Sequence, residues 1–448
     1  MKYILVLLIY IFNAFPLKAQ IQLRPLPDVG FEARIKKYVN TLELVSTHDH
    51  LVSQKDLKNH STLDFMLLLH HYADDDIKSA GMSKPQFAEL LTDKYSVNEK
   101  WALVKPFWEA SKNTAYGRVV LLTIDELYGI KDLNDDTVEE LSELIKKSYD
   151  NTSWYDYVLK DRAKIKYAIM DVGSRRMEDE MFVYVEKFDQ FVRIHSKEDL
   201  LAISKDYKAD LTNIDSFSSA LEEAFQLALE RGIVGVKTAL AYHRPIKYEN
   251  VPREKAGNVF NMIMDSPLEK VFDFEDVKPL QDYMMHRIIG LAGKHDLTIQ
   301  IHTGLQAGDG NIITNANPAL LANLFLEYRD VRFSIFHGGY PYGGELSTLA
   351  KNFRNVYLDM SWLYIISPSY SERYLHEWLE TVPANKIMAF GADYHNVENA
   401  FGHSLMARMV VSKVLIEKVR TGYLTEQEAK QIAERLLYKN ALEIFRIE

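Results

Sequence analysis

The chain has 448 residues, of which 47% are hydrophobic and 26% charged, so it carries ample apolar material for a packed core. Its formal net charge is −10 and no Lys/Arg block stands out, which argues against a nucleic-acid partner. It has no cysteine, which excludes disulfides, thiol catalysis, thiolate metal ligands and a lipid-modified cysteine and leaves packing to supply the stability.

Met1-Lys2-Tyr3 opens with positive charge, Ile4 to Phe15 is almost continuously apolar, and Pro16 to Gln20 breaks the run with a small residue at Ala19. That is the layout of a secretory signal peptide. The apolar run falls short of the ~20 residues that span a bilayer. The expectation is therefore export to the periplasm or beyond the cell. Residues 1–20 would be removed, residues 21–448 would form one domain, and no membrane anchor would remain.

From there, short β-rich runs alternate with amphipathic helical stretches. The runs are 42–47, 119–123, 166–170, 234–238, 298–302, 332–336, 355–359 and 387–390; helical periodicity marks 216–231, 279–295, 318–328, 369–380, 407–421 and 424–445. Alternation of this kind predicts a parallel sheet, and eight strands close a (β/α)8 TIM-type barrel. Two stretches do not fit the alternation and read as insertions. Residues 54–117 look helical and follow strand one, and 243–278 look loop-rich and follow strand four. Both would sit over the face where barrel active sites lie.

The strand ends carry the chemistry. Strand one ends in Thr47-His48-Asp49-His50, strand four in Lys237, strand five in His302 and strand six in His337, while Asp393 follows strand eight. Residues i and i+2 of a strand point to the same side, so His48 and His50 can share one metal. Imidazole and carboxylate are the ligands of zinc-like ions where no thiolate exists. Each residue has an ordinary structural use on its own; their order at five strand ends is the signal. Arg244 offers a planar fork for a carboxylate and Tyr242 a hydroxyl donor. Tyr340 and Tyr342 would line the mouth, and Asp359 could orient a ligand histidine.

The strings STHDHL (46–51), GVKTALAYHRP (235–245), IHTGLQAGDGN (301–311), FHGGYP (336–341) and FGADYH (390–395) resemble the amidohydrolase superfamily, in its amidohydrolase-related branch. That branch also holds decarboxylases and, more remotely, uronate isomerases. The resemblance implies that His48, His50, His302 and Asp393 hold a divalent metal, zinc first and manganese second. It makes Asp393 and His337 the proton-handling groups. Lys237 stays open between two roles: a carboxylated bridge of two metals, with His337 as a further ligand, or a cationic clamp that binds substrate with Tyr242 and Arg244. The expected reaction is hydrolysis of a C–N or C–O bond in a small carboxylate-bearing molecule by a metal-activated water. Decarboxylation and uronate isomerisation are alternatives on the same barrel, and a catalytically silent binding barrel is the rival of another class. Assembly into a homo-oligomer is left open.

Overall fold

The computed structural model describes residues 28–58, 63–171, 173 and 176–448. The expected signal peptide lies outside the described residues. Eight parallel strands pair in chain order: β1 Leu44–Asp49, β2 Ile165–Met170, β3 Phe182–Lys187, β4 Ile233–Thr238, β5 Thr298–Ile301, β6 Phe333–Ile335, β7 Val356–Asp359 and β8 Ile387–Met388. All six residues of β1 are buried, as a strand covered on both faces requires. The ring is completed where the segment after β8 runs beside β1. Thr47 N–H donates to the Phe390 carbonyl (3.0 Å), and Asp393 N–H donates to the His48 carbonyl (2.9 Å). These bonds set Asp393 beside His48, and the whole is the expected (β/α)8 barrel.

One end of the barrel is stopped. Val45, Ile169, Val185 and Met388 pack with Ala441, Ile444, Phe445 and Ile447 of the C-terminal segment. Thr298, the first residue of β5, donates its hydroxyl to the Ile444 carbonyl (2.6 Å). The segment therefore covers the end where strands begin and leaves the carboxyl ends of the strands for a site.

Two expectations about the elements need correction. The run 119–123 is not a strand; it lies inside the helix Ala115–Tyr128. The Thr114 hydroxyl caps that helix by accepting from Gly117 N–H, and Gly129 ends it at φ 72°. Its buried positions are Tyr116, Gly117, Val119, Val120, Thr123 and Ile124, a 3–4 spacing that outweighs the β-branched content. The strand missed in its place is β3. In consequence the first insertion does not stop near 117: helices continue through Val138–Asp150 and a π-turn at Asp156–Arg162 up to β2. The second insertion is less loop-rich than expected, because it holds the helix Arg253–Met264 and the start of Phe274–Lys294. No helix among the described residues is long and apolar enough to cross a membrane.

Candidate active site

A cavity of about 200 Å³ sits at the carboxyl ends of the strands, and the strand-end residues line it. His48 and His50 enter from the end of β1 with their rings 4.6 Å apart at 82°. The His50 Nδ1–H donates to the Asp171 carbonyl (2.9 Å). A carbonyl can only accept, so Nδ1 carries the proton of that bond. His50 Nε2 faces Asp393 Oδ1 at 3.3 Å, and His48 Nε2 is 3.7 Å from the same oxygen. One ligand atom from each of the three residues can be chosen so that all lie within 4.8 Å of one another. Burial holds the His48 imidazole well below its usual pKa, and so neutral. Two imidazoles and a carboxylate that converge this closely are a ligand set that fits a divalent cation. Tyr72 donates its hydroxyl to Asp393, which supports the carboxylate from the first insertion.

His302 and His337 form a second arrangement. His302 Nε2–H donates to the Leu305 carbonyl and His337 Nδ1–H to the Ser361 carbonyl, both at 2.9 Å. Their remaining nitrogens, His302 Nδ1 and His337 Nε2, face each other at 3.1 Å. Burial pushes both imidazoles well below their ordinary pKa. Each therefore presents a lone pair to the other, a contact that needs a shared proton or cation. The structure places His302 beside His337 and not in the three-residue group, while His337 Nδ1 lies 3.9 Å from Asp393 Oδ2.

Lys237, at the end of β4, also lines the cavity. Its ammonium lies 4.0 Å from the centre of the Phe336 ring and has no ion pair among the described residues. Burial pushes it down to about 8. Tyr242 lines the same cavity, its ring 4.7 Å from that of His302, and its hydroxyl accepts from Ala307 N–H (3.0 Å). Arg244 does not join them. It is buried on the other side of the loop, where it donates to Asp282, Gln281 and the carbonyls of Pro245 and Lys247. Its guanidinium is used by the second insertion and is turned away from the cavity.

Three further expectations change. Tyr340 packs on Tyr370, and the Tyr342 hydroxyl donates to the Ile313 carbonyl; neither lines the cavity. Asp359 reaches no histidine. It accepts from Thr47 and Ser334 hydroxyls and from Ser361 N–H, so it acts on His337 only through the Ser361 peptide. Burial pushes its carboxyl up to about 7.

Four residues that the sequence reading passed over line the cavity: His71, Tyr72, Asp171 and Lys187. Asp171 follows β2 and Lys187 ends β3, and they pair at 2.8 Å. Burial alone would raise the Asp171 carboxyl; His50 and Lys187 outweigh it and hold the pKa below the usual value. The strand-end rule that found His48 would have found Asp171 too, and Lys187 once β3 was recognised. His71 has no such signal, because it enters from the helical insertion. It stacks between Tyr72 (4.0 Å) and His395 (3.8 Å). Its φ of 99° is matched by positive φ at His337 (60°), Trp362 (66°) and Asp393 (58°). Non-glycine residues avoid this region, and its concentration around one cavity marks a functional centre.

Known proteins share the barrel fold. Protein fluG of Emericella nidulans is 28% identical over 260 residues, covering 54% of this chain but only 29% of fluG. The uronate isomerase of Thermotoga neapolitana is 22% identical over 455 residues, covering 92% of this chain and 96% of the relative. The crystal structure of uronate isomerase from Thermotoga maritima superposes with a TM-score of 0.76 at 19% identity, over 93% of this chain and 97% of that one. Residues 256–447, which include His302, His337 and Asp393, match the family model described as Amidohydrolase. Over residues 256–447 this chain is therefore similar to the amidohydrolase family, and along nearly its whole length it shares the barrel fold of uronate isomerase.

Proposed function

We propose that this chain is a metal-dependent isomerase of small hydroxylated carboxylic acids, of the uronate-isomerase type. The observation that carries the reading is the division of the site: His48, His50 and Asp393 lie close enough together to share one ion, while His302 and His337 stand apart with bare nitrogens 3.1 Å from each other. Uronate isomerases are among the proteins that align along nearly the whole chain, which supports the same choice. A divalent ion held by His48, His50 and Asp393, zinc or manganese, would supply charge to polarise a substrate oxygen.

The chain's own groups would do the rest. Lys237 and Lys187 line one cavity and give a carboxylate two cationic partners. Tyr242 and Tyr72 bring hydroxyls to the same space. An aldose–ketose isomerisation takes a proton from C2, returns one to C1 and moves one between the two oxygens, with no water consumed. The bare nitrogen of His337 suits the holding of that proton, and His302 lies beside it. Trp362 lines the cavity beside His337, at 5.1 Å between rings.

The test is incubation of the metal-loaded protein with glucuronate in deuterated water. Ketose carrying deuterium at C1 supports the reading, and recovery of unlabelled, unchanged acid refutes it. Hydrolysis of a C–N or C–O bond is the second reading. It is favoured by the family match and by the presence of Lys237, His302 and His337 together with the ligand group. Release of amine or alcohol from N-acyl and ester carboxylates would select it. Loss of carbon dioxide would select decarboxylation instead, and no turnover of any acid would favour a silent barrel. We also propose export directed by residues 1–20, which cell fractionation of the full-length protein tests.

A further inference from the structure

Beside the inner cavity lies a larger chamber of about 560 Å³, and the two share His50, Asp171 and Lys187 as a common wall. Its remaining surface has a different chemistry from the inner cavity. Leu51, Val52 and Met177 line it with apolar groups, and Ser53, Asp56 and Arg176 line it with polar ones. The wall is held in place. Val52 N–H donates to the His395 carbonyl (2.9 Å), and the Val52 carbonyl accepts from the Tyr155 hydroxyl (2.6 Å). The Arg176 guanidinium lies 4.3 Å from the Tyr184 ring centre and donates to the Arg231 carbonyl (2.6 Å), while its Nε is buried without a partner.

Small-molecule sites run from roughly 300 to 1,000 Å³. The inner cavity, at about 200 Å³, lies below that range, and the site enters it only with the outer chamber included. A single acid whose carboxylate meets Lys237 and Lys187 and whose oxygens face Asp393 reaches only the shared wall of the outer chamber. A pyranose ring presents both an apolar C–H face and hydroxyls, and so can meet both kinds of lining group, Leu51, Val52 and Met177 on one hand and Ser53, Asp56 and Arg176 on the other.

We propose that the outer chamber is a second binding subsite for a sugar ring joined to the acid, so that the preferred substrate is an acid of disaccharide size or larger. This rests on the reading that the reacting acid occupies the inner cavity. The experiment is isothermal titration calorimetry on the metal-loaded protein with three probes: glucuronic acid, a disaccharide with glucuronic acid at its free reducing end, and the neutral disaccharide cellobiose. The acidic disaccharide should bind roughly tenfold tighter than the free acid. Met177→Trp, which fills the chamber, should remove that advantage and leave glucuronic acid within about twofold of wild type. Val52→Trp is the second variant, should the first fail to fold. Equal affinity for the two acids in the wild type, or a tryptophan that weakens both alike, overturns the subsite. Failure of glucuronic acid to bind refutes the acid reading instead. In that case saturable cellobiose binding that Met177→Trp abolishes would still support the chamber, and its absence would overturn it.

Discussion

Arg244→Met separates a structural guanidinium from a substrate clamp. Arg244 is 3% exposed and Asp282 is 0% exposed, and the two form a buried ion pair. The guanidinium also donates to Gln281 (3.0 Å) and to two carbonyls, and it lies against Tyr248 and Phe274 at 4.6 and 4.8 Å. Removing one partner of a buried pair costs about 3–5 kcal/mol, because the other charge is left in a poor solvent. Here Lys278 and Glu249 N–H still hold Asp282, so the lower end applies, about 3 kcal/mol. The unfolding entropy per residue scales to roughly 1 °C in Tm per kcal/mol for a chain of 448 residues, so Tm should fall by about 3 °C. Differential scanning calorimetry measures that fall, and steady-state kinetics on the acid substrate should give KM within about twofold of wild type. An unchanged Tm with a KM raised about tenfold would refute the reasoning and return Arg244 to the substrate.

Three further outcomes follow from the geometry. His337→Asn should keep its metal, because the three-residue group is intact, yet lose about 10²–10⁴ in kcat; wild-type turnover would remove His337 from the reaction. In Gly391→Ala the new methyl would meet Ser361 Oγ at 2.5 Å and Thr47 Oγ1 at 2.8 Å. It would push on the peptide that holds His337 and on the residue before His48, so metal titration should show roughly tenfold weaker binding, and unchanged affinity would contradict the packing argument. His403 is buried, donates Nδ1–H to the Ala392 carbonyl, and is pushed by burial down to about 4. Its folded pKa lies below the unfolded value, so the unfolded chain takes up the proton first. Stability should therefore fall by about 3 kcal/mol as pH drops from about 6.5 to about 4. Urea unfolding across that range should show a shallower acid loss for His403→Leu, and an identical slope would discount His403.

The barrel was legible in the sequence because its later strands are short apolar runs between periodic helices, and because a residue with chemistry sits where each run ends. His48, His50, Lys237, Tyr242, His302, His337 and Asp393 share one cavity for that reason. The error at 119–123 came from composition: Val119, Val120 and Thr123 are β-formers, but their burial follows a helix period set by Tyr116 and Ile124. Arg244 was misplaced because strand periodicity ends at Thr238, and beyond it the loop chooses its own direction. His71 and Tyr72 had no strand to report them. Their approach depends on how the insertion folds back over the barrel, a long-range packing outcome that no local period records.

The central claim is a single metal ion held by His48, His50 and Asp393. Metal content per chain of the purified protein, read by inductively coupled plasma mass spectrometry for the wild type and for His48→Ala, tests it most directly. The account predicts about one zinc or manganese ion per wild-type chain and almost none in a folded His48→Ala variant. Two ions per wild-type chain would contradict it, by bringing Lys237, His302 and His337 into a two-metal centre. Full metal content in His48→Ala would contradict it as well, by placing the ion elsewhere.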